Sequence, residues 1–138
     1  MADDRKDGLS DLLTPAARTL RRRWLDVLAP RDRSSHRARA LGLACERDDV
    51  RLTDLAEALH IAPRSATEVA DGLQERSLLE RTPDPSDRRA VILRPTDDGR
   101  RIRAEIDAAR TADSAELFAR LPAGDRSALA RILHTLAD

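Results

Sequence analysis

Arg64, Ser65, Thr67 and Glu68 crowd into the first turns of a segment that opens on Pro63. Their chemistry is that of hydrogen-bonded edge recognition. A guanidinium fork matches guanine O6 and N7, a threonine can touch a thymine methyl or a phosphate, and a glutamate can accept from cytosine N4. A second cationic pair, Arg88 and Arg89, follows Asp84-Pro85-Ser86-Asp87. Two adjacent guanidinium groups on a turn can grip phosphates or enter a minor groove. Each set has a plainer reading. Arg64 and Glu68 are four residues apart and can pair with each other on a solvated helix face. Arg89 can hold Asp87, which makes Asp87 a stabiliser of the turn. No Ser-His-Asp arrangement, phosphate-binding glycine loop or carboxylate pair appears, so there is no candidate for catalysis and no expected cofactor. His36, His60 and His134 are scattered and make no metal ligand set.

The elements around these residues follow from apolar spacing. Leu52, Leu55, Ala56 and Leu59 fall at i, i+3, i+4 and i+7, and Ala66, Val69, Ala70 and Leu73 repeat the pattern. Two short helices result, joined by only His60, Ile61 and Ala62, the connection length of a helix-turn-helix. Thr53 is the expected N-cap of the first, and Pro63 the first residue of the second, which runs to Arg76. Arg64, Glu68, Asp71 and Glu75 then lie opposite the second helix's apolar stripe. Leu78 to Thr82 and Arg89 to Arg94 read as strands around a type I turn at Asp84 to Asp87. The product is a hairpin with an arginine-rich tip, a wing, behind a helix-turn-helix: a DNA-reading unit.

Those residues carry a resemblance. Leu55 to Leu59, Pro63 to Thr67, Leu78 to Arg81, Asp84 to Arg89, and finally Thr96 and Gly99, resemble the MarR family of bacterial winged-helix regulators. Asp87, Arg89, Thr96 and Gly99 sit at the offsets of that family's Asp-x-Arg and Leu-Thr-x-x-Gly pattern. The likeness is sharp over residues 52–99 and rests on helix order outside them. Three departures stand out. Pro95 replaces the Leu of the Leu-Thr pair, Ser77 stands where the family prefers Gly, and Ala62 occupies a cap position that usually carries a hydroxyl. The resemblance implies terminal helices interlocked as a two-fold dimer and a small-ligand pocket between reader and dimer helices. That cleft would be bounded by the first two helices and Ile102 to Ala109.

The flanks read as further helices. Leu9 to Leu28 carries apolar residues at three-to-four spacing, with the regular helix expected to start at Thr14 and Pro15 as its first residue. Ala29 to Arg33 is a connection. Ser34 or Ser35 caps a second helix to about Glu46 that buries Leu41, Ala44 and Cys45, and Val50-Arg51 can add a short strand to the wing. Thr96 is the N-cap of a long helix to about Arg120, with Asp97 and Asp98 favourable in its first turn. Leu121 to Gly124 breaks the chain before a last amphipathic helix. The stripes of Leu20 and Trp24, of Ile102 and Ile106, and of Leu129, Ile132, Leu133 and Leu136 need burial, and a second copy of the chain is the economical cover. Residues 1–8 read as a disordered tail.

Composition sets bounds. The 138 residues make one domain, with 9–46 as N-terminal helices, 50–95 as the winged helix-turn-helix and 96–138 as C-terminal dimerisation helices. Hydrophobic residues are 41% and aromatic residues 1%, so aliphatic side chains must fill a mostly helical core that carries only a small hairpin. Basic and acidic residues number 25 each, so a nucleic-acid surface must come from segregation of charge. Lys6 is the sole lysine, a bias that suits a G+C-rich genome. No apolar run is long enough for a membrane span and the start lacks a signal-peptide core. One cysteine excludes an intrachain disulfide and fits a cytoplasmic, nucleoid-associated protein. Cys45 reads as a buried inert thiol, and Arg21-Arg22-Arg23 as a solvated face. The expectation is a homodimeric repressor of a palindromic operator in double-stranded DNA, released by a small effector. The alternative is a winged-helix protein-interaction module that has lost DNA reading, suggested by zero net charge and the acids of the second helix.

Overall fold

The structure is a computed structural model that describes residues 8–31 and 34–137. The expected tail at 1–8 therefore lies, but for Gly8, outside the described residues. Six helices and one hairpin follow in the order α1 (Leu9–Leu28), α2 (Ser35–Glu46), α3 (Leu52–Leu59), α4 (Pro63–Glu75), β1 (Leu79–Asp84), β2 (Asp87–Pro95), α5 (Asp97–Phe118) and α6 (Ala123–Ala137). The fold is mostly helical with an antiparallel hairpin as its wing.

The main core forms where α2, α3, α4 and the base of the wing meet. Leu41 and Ala44 from α2, Leu55 and Leu59 from α3, Ala66, Ala70 and Leu73 from α4, and Leu79 and Leu93 from the strands are all buried. A fully buried leucine contributes about 1.5–3 kcal/mol, so this cluster outweighs any single polar contact in the unit. Ala66 and Ala70 present only methyl groups, which lets α4 lie close against its neighbours. A smaller cluster of Leu28, Ala38 and Ile106 joins α1, α2 and α5.

Local chemistry sets the ends of these elements. Ser34 caps α2 by accepting the Arg37 N–H at 3.2 Å, and Thr96 caps α5 by accepting the Gly99 N–H at 3.0 Å. α3 begins one residue before the expected cap at Thr53. Arg51 is its N-cap, and the Asp54 carboxylate, three residues on, takes the Arg51 N–H at 2.9 Å. An acid at that position satisfies the cap backbone from inside the helix, so Thr53 is not needed. α1 begins at Leu9, not Thr14, and Pro15 lies inside it. The Gly8 carbonyl holds the first turn by accepting from Asp11 and Leu12, and Pro15 forgoes one ladder bond in the second.

Both helices of the reader end alike. His60 (φ 53°) and Ser77 (φ 60°) take the left-handed conformation usually left to glycine. After α3, the N–H groups of Ile61 and His60 bond Ala56 O and Glu57 O; after α4, those of Leu78 and Ser77 bond Leu73 O and Gln74 O. The Ser77 carbonyl is held by the Thr96 hydroxyl at 2.6 Å. α4 itself closes at Glu75, one residue before the expected Arg76.

The wing strands are longer than their apolar runs suggested. Leu79 pairs with Pro95 and Pro83 with Val91, and a bulge lies between Pro83 and Asp84. Val50 joins as expected, its carbonyl accepting from the Leu93 N–H at 2.7 Å. α5 stops at Phe118 and not Arg120, and the break after it is shorter than expected, because Ala123 and Gly124 already belong to α6.

Gly99 marks the tightest joint between reader and α5. A Cβ there would lie 2.1 Å from the Leu78 carbonyl oxygen, a backbone atom that also accepts the Thr96 N–H. Gly99→Ala must push the wing root off α5, and the expected loss is about 1–3 kcal/mol of stability by chemical denaturation. An unchanged midpoint would show that this joint is not tight.

Candidate nucleic-acid interface

α4 positions the first candidate set. With Ala66, Ala70 and Leu73 facing inward, Arg64, Thr67 and Glu68 point to solvent and Ser65 is half-buried. Among the described residues, Arg64 forms no ion pair, with Glu68 or any other acid, so the i, i+4 pairing that the sequence allows is not made. The Thr67 hydroxyl bonds back to the Pro63 carbonyl at 3.2 Å. Ala62 supplies no side-chain cap, so the first N–H groups of α4 stay open beside Arg64, a favourable place for an anion.

The acids farther along α4 are handled by a residue that the periodicity did not single out. Arg81 on β1 donates to the Asp71 carboxylate at 2.6 Å and also to the Gln74 side-chain oxygen. One contact thus pins the wing to α4 and neutralises an acid on the helix. Glu68 and Glu75 remain exposed.

The wing carries the second set. Arg88 and Arg89 are exposed and, among the described residues, have no acidic partner. Asp87 does not pair with the Arg89 guanidinium. Its carboxylate accepts the Arg89 backbone N–H at 3.0 Å, which stiffens the turn while leaving the side chain free.

The stronger anchor is Asp84, the one buried charged side chain of the described residues, at 6% exposure. Its carboxylate accepts the Ser86 N–H at 2.9 Å and the Ser86 hydroxyl at 2.8 Å, and it pairs with the Arg51 guanidinium. The Ser86 bonds first, and Arg51 after them, hold this carboxyl below the usual carboxylate range against the opposing effect of burial. Arg51 also opens α3, so the tip of the wing is tied to the start of the helix-turn-helix.

The proposed subunit-contact residues divide. Ile106, 2% exposed, packs with Leu28 and Ala38, and Ile102 sits partly buried on both core clusters. The stripe of α5 is therefore spent inside the chain, which corrects the expectation that Ile102 and Ile106 meet a partner. Leu20 lines an apolar groove of about 500 Å³ with Leu117, Phe118, Leu129 and Leu133. α6 buries none of its residues and exposes Ile132, Leu133 and Leu136. Trp24 lies under the Arg110 guanidinium, 5.2 Å from its ring centre. The basic run ahead of Trp24 is not wholly solvated, because Arg23 bridges α1 to Asp113 on α5 at 2.9 Å.

The cleft between reader and outer helices has different walls from those expected. A cavity of about 580 Å³ is lined by α1, α2, the His60 turn and Arg110, without Ile102 or Ile106. Cys45 lies outside it and is half-buried; burial pushes its thiol up, outweighing Arg103 and Arg100 on α5, which act the other way. Little thiolate forms near neutral pH.

Residues 35–91 match the sequence profile of the MarR family. Among solved structures, wild-type apo MarR from E. coli superposes with a TM-score of 0.83 at 21% identity, covering 95% of this chain and 98% of that one. CouR from Rhodococcus jostii, bound to p-coumaroyl-CoA, gives 0.76 at 28% identity over 95% and 92%. CouR, described as a transcriptional repressor and bound to a 23-mer DNA duplex, gives 0.81 at 27% identity over 100% and 98%. No curated protein matches the sequence.

The anchoring of the wing has a pH signature. A carboxyl with a depressed folded-state value contributes stability above its unfolded value, near 3.9, and loses that contribution as pH falls through the folded value. Asp84→Asn should therefore lower the thermal midpoint at pH 7, and the gap from wild type should close as the solution is acidified. A gap that persists at low pH would assign the loss to packing and not to charge.

Proposed function

Because this chain is a winged-helix protein of the MarR family, we propose that it is a DNA-binding transcriptional regulator: a cytoplasmic homodimeric repressor of a palindromic operator, released by a small molecule. One observation carries the reading. The start of α4 and the tip of the wing both present arginines without acidic partners among the described residues, while the acid on α4 nearest the wing is neutralised by Arg81. A surface shaped for protein contact would have no need to keep Arg64, Arg88 and Arg89 unpaired and solvated. CouR in complex with DNA supports the same use of the fold.

The roles divide by position. Residues at the start of a recognition helix reach base edges in the major groove, so Arg64 reads, with Ser65, Thr67 and Glu68 as its neighbours there. Arg88 and Arg89 lie over the backbone or the flanking minor groove and position the complex, with Asp87 stiffening their turn. Arg64→Ala should cost about 1–3 kcal/mol per half-site and flatten preference at one G·C pair. Arg88→Ala or Arg89→Ala should weaken all sequences evenly and reduce the salt slope by about 0.9 for each lost phosphate contact. Titrations across a set of single-base operator variants measure both. An Arg64→Ala protein with unchanged selectivity, beside a wing variant that alters it, would reverse the roles.

The second copy covers the outer helices. Leu9 at 86% and Leu136 at 67% exposure, together with Leu13, Ile132 and Leu133, leave an apolar face too large for a lone chain to carry in water. Its occupant is the same face of a partner, with Leu20 and Leu129 in the groove and Trp24 at its margin. Ile132→Asp with Leu136→Asp should yield a monomer by sedimentation and abolish operator binding. A wild-type chain that sediments as a monomer at micromolar concentration would contradict the assembly.

A further inference from the structure

The cavity between α1, α2 and the His60 turn is cationic to a degree that the net charge of the chain hides. Arg21, Arg39 and Arg110 line it together with His36, His60 and Trp24, and no lining residue is acidic. Arg110 is half-buried against Trp24, and its Nε is buried with no hydrogen-bond partner. Burial lowers its guanidinium from the ordinary arginine value, and repulsion from Arg103 adds to that effect. A buried donor without an acceptor, in a basic cavity, is a place for an anion.

One of these arginines has a second attachment. Arg39 Nη2 donates to the Ala58 carbonyl at 3.0 Å. Ala58 is in the last turn of α3, where carbonyls lack helical partners and a cation is favoured. Two residues on, His60 holds the turn into α4 in its left-handed conformation. Arg39 therefore borders the cavity with one side and caps the first reader helix with the other.

We propose that the effector of this protein is an organic anion with a flat apolar body, held in this cavity by Arg110 and Arg39, and that it acts on the reader by drawing Arg39 away from Ala58. This inference rests on the regulator reading above, and names its ligand class and its route. A carboxylate or phosphate oxygen makes a charge-assisted bond to guanidinium roughly twice as strong as a neutral carbonyl does. The anion thus wins Arg39, Ala58 loses its cap, and the turn that aims α4 loosens. Trp24, Leu25 and Leu28 supply the apolar wall for the body.

The test uses the full chain with 1-naphthoate and its neutral amide, 1-naphthamide, as probes. Calorimetry should show the amide at least about tenfold weaker than the acid, and Arg110→Gln should lose a similar factor for the acid. Equal binding of acid and amide, or no binding of the acid, overturns the ligand class. Amide hydrogen exchange reads the route without DNA. Naphthoate should speed exchange of the His60 and Ile61 N–H groups, which bond Glu57 and Ala56. In Arg39→Ala these should exchange fast from the outset and no longer respond, while Arg39→Lys keeps part of the response. On selected DNA, naphthoate should weaken wild-type binding severalfold, and DNA should weaken naphthoate binding by the same factor. Arg39→Ala should start at the weakened affinity and stay there. Full naphthoate response in Arg39→Ala, in exchange or on DNA, overturns the role of Arg39. A chain that selects no DNA, yet shows the acid preference and the exchange response, fails the regulator reading alone.

Discussion

Everything at the candidate interface depends on how closely α4 can approach the core. Ala66 and Ala70 are buried to within a percent, and Leu73 locks the same face between α2 and α3. Methyl groups on that face set the depth of the helix, and protein interiors tolerate little extra volume. With that face fixed, the helical period leaves Arg64, Thr67 and Glu68 no choice but to point outward. The wing is hung from the same unit at three places: Val50 on Leu93, Arg51 on Asp84, and Arg81 on Asp71. Reader and wing thus behave as one rigid piece, and contacts made by one constrain the other.

Charge in this chain is distributed with more care than its sum suggests. Acids that would face a phosphate backbone are engaged from within: Asp84 by Ser86 and Arg51, Asp87 by its own turn, and Asp71 by Arg81. The arginines left over are those at the start of α4, on the wing tip, and around the cavity. Zero net charge is consistent with a nucleic-acid surface when segregation is this local, because screening confines exposed charges to about 8–10 Å.

Much of this could be read from the residues alone. Apolar spacing located α3 and α4, the Asp-Pro-Ser-Asp turn located the wing, and Thr96 located the start of α5. Those signals are local, and local chemistry decides them. The failures were of two kinds. At helix ends, a competing local group won: Asp54 capped α3 in place of Thr53, and Gly8 let α1 start ahead of Pro15. In the second kind the deciding partner was remote. Arg51 to Asp84, Arg39 to Ala58 and Arg23 to Asp113 join residues 33, 19 and 90 positions apart, which no periodicity relates. The same limit explains Ile102 and Ile106. A stripe shows that a face will be buried, while only the packed chain shows whether its own helices or a partner's do the burying.

Two identical readers related by a two-fold axis make a geometric demand on DNA that a single reader does not. Successive major grooves on one face of B-DNA recur every 34–36 Å, about 10 base pairs. Selection of DNA by the purified wild-type chain from a random duplex pool measures this directly. The account predicts an inverted repeat with half-site centres about 10 base pairs, or a multiple of that, apart, and with a G·C pair in each half. Enrichment of an unrepeated site, or of no sequence at all, would contradict it.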